Sequence, residues 1–118
     1  MPRTPAPADH LPLTPAVLHI LLVVADGERH GYAIAQEAEA LSDGQVRMGP
    51  GTLYGSIQRM VAAGLLDEAS ADEAGRRFYR ATALGRRVLA LELERLARVV
   101  DHARSRRLLP RTARSEAT

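Results

Sequence analysis

The chain has no cysteine, no tryptophan and no lysine, and Phe78 is its one phenylalanine. Without cysteine there are no disulfides, no thiolate zinc ligands and no thiol chemistry. Histidine does not fill the gap, because His10, His19, His30 and His102 are scattered, with neither HExxH nor HxH spacing. No metal site and no cofactor are expected. The phosphate-binding glycine patterns are missing as well: Gly49-Pro50-Gly51 is not followed by GKS/T, nor does it have GxGxxG spacing. The adjacent carboxylates Asp67 and Glu68 fall on a predicted strand, where successive side chains diverge. Catalysis has no support, and the chain reads as a non-enzyme. The longest apolar run, Val17 to Ala25, includes His19 and is far below the ~20 residues of a membrane span. The proline- and alanine-rich start lacks the charged-then-apolar order of a signal peptide, so a cytoplasmic protein is expected.

What remains is a single-domain length of 118 residues with every one of its 16 basic residues an arginine. Net charge is only +2, but it is unevenly placed. Residues 1–60 carry 4 arginines against 6 acids, and residues 61–118 carry 12 against 8. The basic second half and high pI are compatible with a polyanion partner.

The chain is organised around residues 49–64, GPGTLYGSIQRMVAAG. Pro50 suits the first turn of a helix, where its missing N–H costs nothing. Leu53, Ile57, Met60 and Val61 share one face at helical spacing, and Gly64 supplies a left-handed stop. The opposite face holds Gly51, Thr52, Gly55, Gln58 and Arg59, with Tyr54 and Ser56 on its flanks. Glycines admit a close backbone approach, and glutamine and arginine can reach base edges, so this helix is suited to a DNA major groove.

Ahead of it, residues 1–13 contain four prolines and are expected to form a mobile arm. Thr14-Pro15 reads as a cap and first helical residue, and the apolar stretch to Asp26 as a helix buried on most sides. Within it, His19 is expected as a satisfied core residue. Gly31 opens a second helix to about Leu41, with Tyr32, Ala35, Ala38 and either Leu41 or Ile34 inward. Ser42-Asp43-Gly44 is a turn, and Val46-Arg47-Met48 is a candidate third strand. Leu65 to Ala69 and Arg76 to Ala81 form a hairpin across a polar turn ending in Gly75. Thr82 caps a last helix from Ala83 to about Leu108, and residues 109–118 are expected to be a disordered tail. Three helices followed by a hairpin predict a mainly α (α+β) fold: a winged helix-turn-helix over 14–82 with a long C-terminal helix over 83–108.

In that last helix, Leu89, Leu93, Leu96, Val100 and Ala103 repeat as a heptad seam and predict a homodimer. Glu92, Glu94, Arg95 and Arg98 would border the seam, and Leu84, Val88, Leu91 and Val99 would pack on the first helix.

The combination of Gly31-Tyr32, Gly51-Thr52-Leu53-Tyr54, Gly64-Leu65-Leu66 and Tyr79…Thr82…Gly85-Arg86 resembles the PadR family of transcriptional repressors. The match spans roughly residues 13–90 in the family's order and separations. The resemblance implies a homodimeric DNA-binding protein that represses a nearby gene, often relieved by a small-molecule effector. Position 55 is glycine where the family commonly carries proline, and the single C-terminal helix is similar to the short subgroup. The candidate DNA-contacting residues are Gly51, Thr52, Tyr54, Gly55, Ser56, Gln58, Arg59 and, on the wing, Arg76 and Arg77. Double-stranded DNA is the expected partner. The alternative is a winged-helix module for protein contacts without DNA, and the cluster Arg76, Arg77 and Arg80 on the wing favours the first reading.

Overall fold

Thr14 begins the first helix as expected. Its Oγ1 accepts the Val17 N–H at 3.2 Å, and Pro15 occupies the first helical position. In this computed structural model, which describes residues 6–110, the elements follow in the order α1 (Pro15–Val24), β1 (Arg29–His30), α2 (Gly31–Leu41), α3 (Pro50–Ala62), β2 (Leu66–Ala71), β3 (Arg77–Ala81) and α4 (Ala83–Ser105). The core lies where α1 meets α2, α3 and α4 over the sheet, and is built on Ile20, Leu21, Ile34, Ile57, Leu66 and Val88. His19 is hydrogen-bonded as expected, Nδ1 donating to the Pro15 carbonyl at 2.8 Å, but it is half-buried on α1 and not part of the core.

Along α2 the buried stripe is Gly31, Ile34 and Ala38, which settles the inward set in favour of Ile34. Tyr32 and Leu41, expected inward, are exposed. Tyr32 is turned about 100° from Gly31 by the helix itself, stacks on the His30 ring at 6.5 Å, and accepts a hydrogen bond from Gln36 Nε2 at 3.1 Å. His30 caps α2 through Nδ1, which accepts the Ala33 N–H at 3.2 Å.

The third strand is not Val46–Met48, which forms no strand, but Arg29–His30. β1 pairs antiparallel with β3, Arg29 opposite Tyr79 and His30 opposite Phe78, so β3 is the middle strand of the order β1-β3-β2. Two residues of no strand propensity pair there because α1 and α2 deliver them beside β3. The hairpin is longer on its first strand than expected: β2 runs to Ala71, with an irregularity between Glu68 and Ser70.

Thr82 does two jobs at the start of α4. Its Oγ1 accepts the Gly85 N–H at 2.9 Å and donates to the Gly64 carbonyl at 2.6 Å. Gly64 has the left-handed φ of 79° expected of a helix stop. Gly85 is required by packing, since a Cβ there would run into the Leu65 carbonyl oxygen.

Residues 6–13, expected within a mobile arm, are packed. Pro7–His10 form a 3-10 turn, and Leu11 and Leu13 lie against the core. The Leu13 N–H donates to Glu92 Oε2 at 2.7 Å, and that carboxylate is 1% exposed. Glu92 was expected at a dimer seam; it is instead a buried anchor for the leading segment. Residues 1–5 and 111–118, which carry the rest of the expected arm and most of the expected tail, lie outside the described residues.

Candidate nucleic-acid interface

α3 presents the surface that the sequence singled out. Its buried side is Leu53, Ser56, Ile57 and Met60. Helical phase then sets Gly51, Gly55, Gln58 and Ala62 along the centre of the outer face. Tyr54 and Val61 border that line on the hairpin side, and Thr52 and Arg59 on the other. Two assignments change. Ser56, expected on a DNA-facing flank, is 3% exposed. Val61, expected in the core, is 40% exposed. A stripe of Leu53, Ile57 and Met60 lies nearly midway between positions 56 and 61 on the helical wheel, so it is packing that turns Ser56 inward and leaves Val61 toward the hairpin. Ser56 keeps an indirect role: its hydroxyl accepts from Arg59 Nη2 at 3.3 Å. The Arg59 guanidinium lies across Gly55, where a Cβ would sit 3.4 Å from Nη1.

Tyr54 is 46% exposed, and the hydroxyl end of its ring lies against Gly31, the first residue of α2. A Cβ on Gly31 would meet the Tyr54 hydroxyl oxygen at 2.6 Å and its ring carbons at 2.8 Å. The Gly31-Tyr32 and Leu53-Tyr54 motifs are thus halves of one contact. By contrast, a Cβ on Gly51 would have no neighbour within 4 Å.

Two of the hairpin's arginines, Arg76 and Arg77, are already paired. Asp72 closes the turn, accepting the N–H groups of Ala74 and Arg76 at 3.1 and 2.9 Å and Arg76 Nε at 2.7 Å. The Arg76 backbone N–H, followed by its side chain, holds the Asp72 carboxyl below its ordinary value. Arg77 Nε stands 3.4 Å from Glu68 Oε1 across the strands. Burial, and then the nearby Glu68 charge, push the Tyr79 phenol up. Between α3 and the hairpin runs a groove of about 460 Å³ lined by Tyr54, Gln58, Val61, Glu68, Arg77 and Tyr79. A second recess of about 300 Å³ continues it past Gly31, Tyr32 and Arg76.

The expected dimer seam divides in two. Leu89 is 7% exposed and belongs to the body of its own chain. Leu93 is 42% exposed, Val99 and Val100 are exposed, and Leu96 and Ala103 are half-buried. Val99, expected against α1, lies on the projecting part of α4 instead. Among the described residues, no group of three or more His, Cys, Asp or Glu side chains could hold a metal, and no helix is long and apolar enough to cross a membrane.

Three helices, a hairpin returning from the third, and a short strand completing the sheet define a winged helix-turn-helix. The profile of the transcriptional regulator PadR-like family matches residues 20–91, from the middle of α1 to the first half of α4. The chain belongs to that family, whose members are transcriptional regulators and not enzymes. It is 46% identical over 88 residues to the transcriptional regulator Rv3488 of Mycobacterium tuberculosis, covering 70% of this chain and 79% of that protein. H. salinarum RosR superposes with a TM-score of 0.63 at 28% identity, covering 73% of this chain and 76% of that one. Bacillus subtilis PadR, solved in complex with operator DNA, shares the fold at a TM-score of 0.59 and 18% identity, over 65% of this chain and 45% of that one.

Proposed function

We propose that the chain is a homodimeric repressor that binds an inverted-repeat operator, with residues 14–82 as the DNA-binding unit and α4 as the dimer contact. The observation that carries the reading is the outer face of α3. Among the described residues Gly51 has no neighbour that demands a glycine, yet glycine costs a helix up to about 1 kcal/mol relative to alanine. A surface kept small against that cost is suited to close approach by something outside the chain. With α3 in a major groove, the amides of Gly51 and Thr52, the Tyr54 hydroxyl and Arg59 on the α1 side reach the phosphate backbone, while Gln58 stands nearest the bases. Arg76 and Arg77 supply wing contacts to the backbone. The B. subtilis relative was crystallised with its operator, which agrees with this use of the shared fold.

The dimer follows from the continuation of the apolar face of α4 past the body, as Leu93, Leu96, Val100 and Ala103. Two such units related by a two-fold axis meet half-sites about one helical turn, ~34 Å, apart. Release by a small-molecule effector, and action in the cytoplasm, belong to the same reading. The alternative, a winged helix for protein contacts, draws on the pairing of both wing arginines with acids. Selection from a random duplex pool decides between them. Enrichment of an inverted repeat is expected; recovery of no enriched sequence would overturn the repressor reading.

A further inference from the structure

We infer that Gln58 reads an adenine in each half-site and that Val61 beside it contacts a thymine methyl, so that sequence preference is set by A·T pairs under the third turn of α3. This rests on the DNA-binding reading above. Along the centre of the outer face, Gln58 is the one side chain with hydrogen-bonding groups, since Gly51, Gly55 and Ala62 have none. Its carboxamide has no partner among the described residues, so reaching out breaks nothing. The competing groups are engaged or turned away. Arg59 donates to Ser56 and borders a recess with Thr14 and Val17 on the α1 side of the helix. Tyr54 is held against Gly31.

The chemistry of the two side chains then chooses the bases. A carboxamide offers one donor and one acceptor in a plane, which matches N6–H and N7 of adenine. Guanine presents two acceptors there, O6 and N7, and would leave the carboxamide oxygen facing O6. Val61 follows Gln58 by three residues, so the two side chains are neighbours on the helix surface. Both line the groove toward the hairpin. An isopropyl group in a major groove has one base feature to pack against, the thymine C5 methyl.

The test uses the full chain in a random duplex selection, with wild type, Gln58→Ala and Arg59→Ala in parallel. Each half-site is expected to contain an adenine column that Gln58→Ala flattens and Arg59→Ala leaves intact. Replacing that adenine in one half-site by 7-deazaadenine, which lacks N7, should weaken wild type by roughly 5–10-fold and leave Gln58→Ala unchanged, as expected for one lost hydrogen bond. Uracil for the thymine contacted should weaken wild type but not Val61→Ala. All three substitutions are at exposed residues, and matching thermal unfolding of the variants checks that the fold is kept. A guanine column that depends on residue 58, an adenine column that persists in Gln58→Ala, or an equal cost of 7-deazaadenine in both proteins would overturn the inference. These outcomes all require an enriched motif. Its complete absence is a different result and removes the DNA-binding reading itself.

Discussion

The backbone N–H of Leu13 donates to the carboxylate of Glu92, 79 residues further on, at 2.7 Å. Arg95 grips the same carboxylate with Nε on Oε1 at 2.5 Å and Nη2 on Oε2 at 3.2 Å. The leading segment is thereby tied to α4 just where that helix leaves the body. Removing the acceptor strands a buried donor and a guanidinium, so Glu92→Ala should cost about 1–3 kcal/mol in urea unfolding. Arg95, and then the Leu13 N–H, hold the Glu92 carboxyl below its ordinary value of 4.5, against the opposing effect of burial. A carboxyl depressed in the folded state contributes stability above its unfolded value and loses it as pH falls through the folded one. The stability gap between wild type and Glu92→Ala should therefore be full at neutral pH and close below about 4.5. A gap independent of pH would show that the carboxylate charge is not what holds the segment.

Gly31 and Tyr54 form a packed pair, and a double-mutant cycle should register it. Gly31→Ala forces the Tyr54 ring off α2, an overpacking expected to cost about 1–3 kcal/mol. In a Tyr54→Ala background the same substitution should be neutral or slightly stabilising, because alanine is the better helix residue. Additive costs in the two backgrounds would mean that Gly31 is needed for its backbone alone.

Leu89 and Leu93 should respond oppositely to a charge, although the heptad pattern treats them alike. Leu93→Glu places the carboxylate on a surface that is 42% exposed in one chain, so the fold should survive and the dimer should dissociate. Leu89→Glu buries it in the body and should unfold the chain, by several kcal/mol. Sedimentation and circular dichroism separate the two effects. A Leu93→Glu protein that still sediments as a dimer would move the interface off α4.

Wing contacts should be visible in the salt dependence of DNA binding. Exposed ion pairs are worth about 0–1 kcal/mol, so a phosphate can draw Arg77 from Glu68 at little cost. Arg76→Ala or Arg77→Ala should weaken operator and random duplex alike and reduce the slope of log K against log [salt] by about 2 per dimer. Glu68→Gln, which leaves Arg77 without its acid, should strengthen both. Wild-type affinity and slope in the arginine variants would take the wing out of the interface.

Most of the helix starts and stops, which depend on neighbours within a turn, are legible in the sequence, the His30 cap of α2 being an exception. Thr14 and Thr82 cap their helices, Pro50 opens α3, and Gly64 ends it with a left-handed φ. The order of helices and hairpin, and the motifs of the PadR-like family, could be read in the same way. Tertiary structure decided what depends on meetings between distant segments. β1 has no strand signal of its own and exists because β3 lies beside it. The inward turn of Ser56 and outward turn of Val61 depend on which side of α3 faces α1, a rotation that periodicity alone does not specify. Gly31 reads in sequence as the start of a helix and Gly85 as part of a motif; their necessity comes from Tyr54 and the Leu65 carbonyl, which arrive from elsewhere. Glu92 looked like one more charge on a helix surface, and only the arrival of Leu13 buries it. A heptad likewise marks an apolar stripe without saying where the body beneath it ends, and that boundary, between Leu89 and Leu93, decides which leucines are buried in the chain's own core and which stay at its surface.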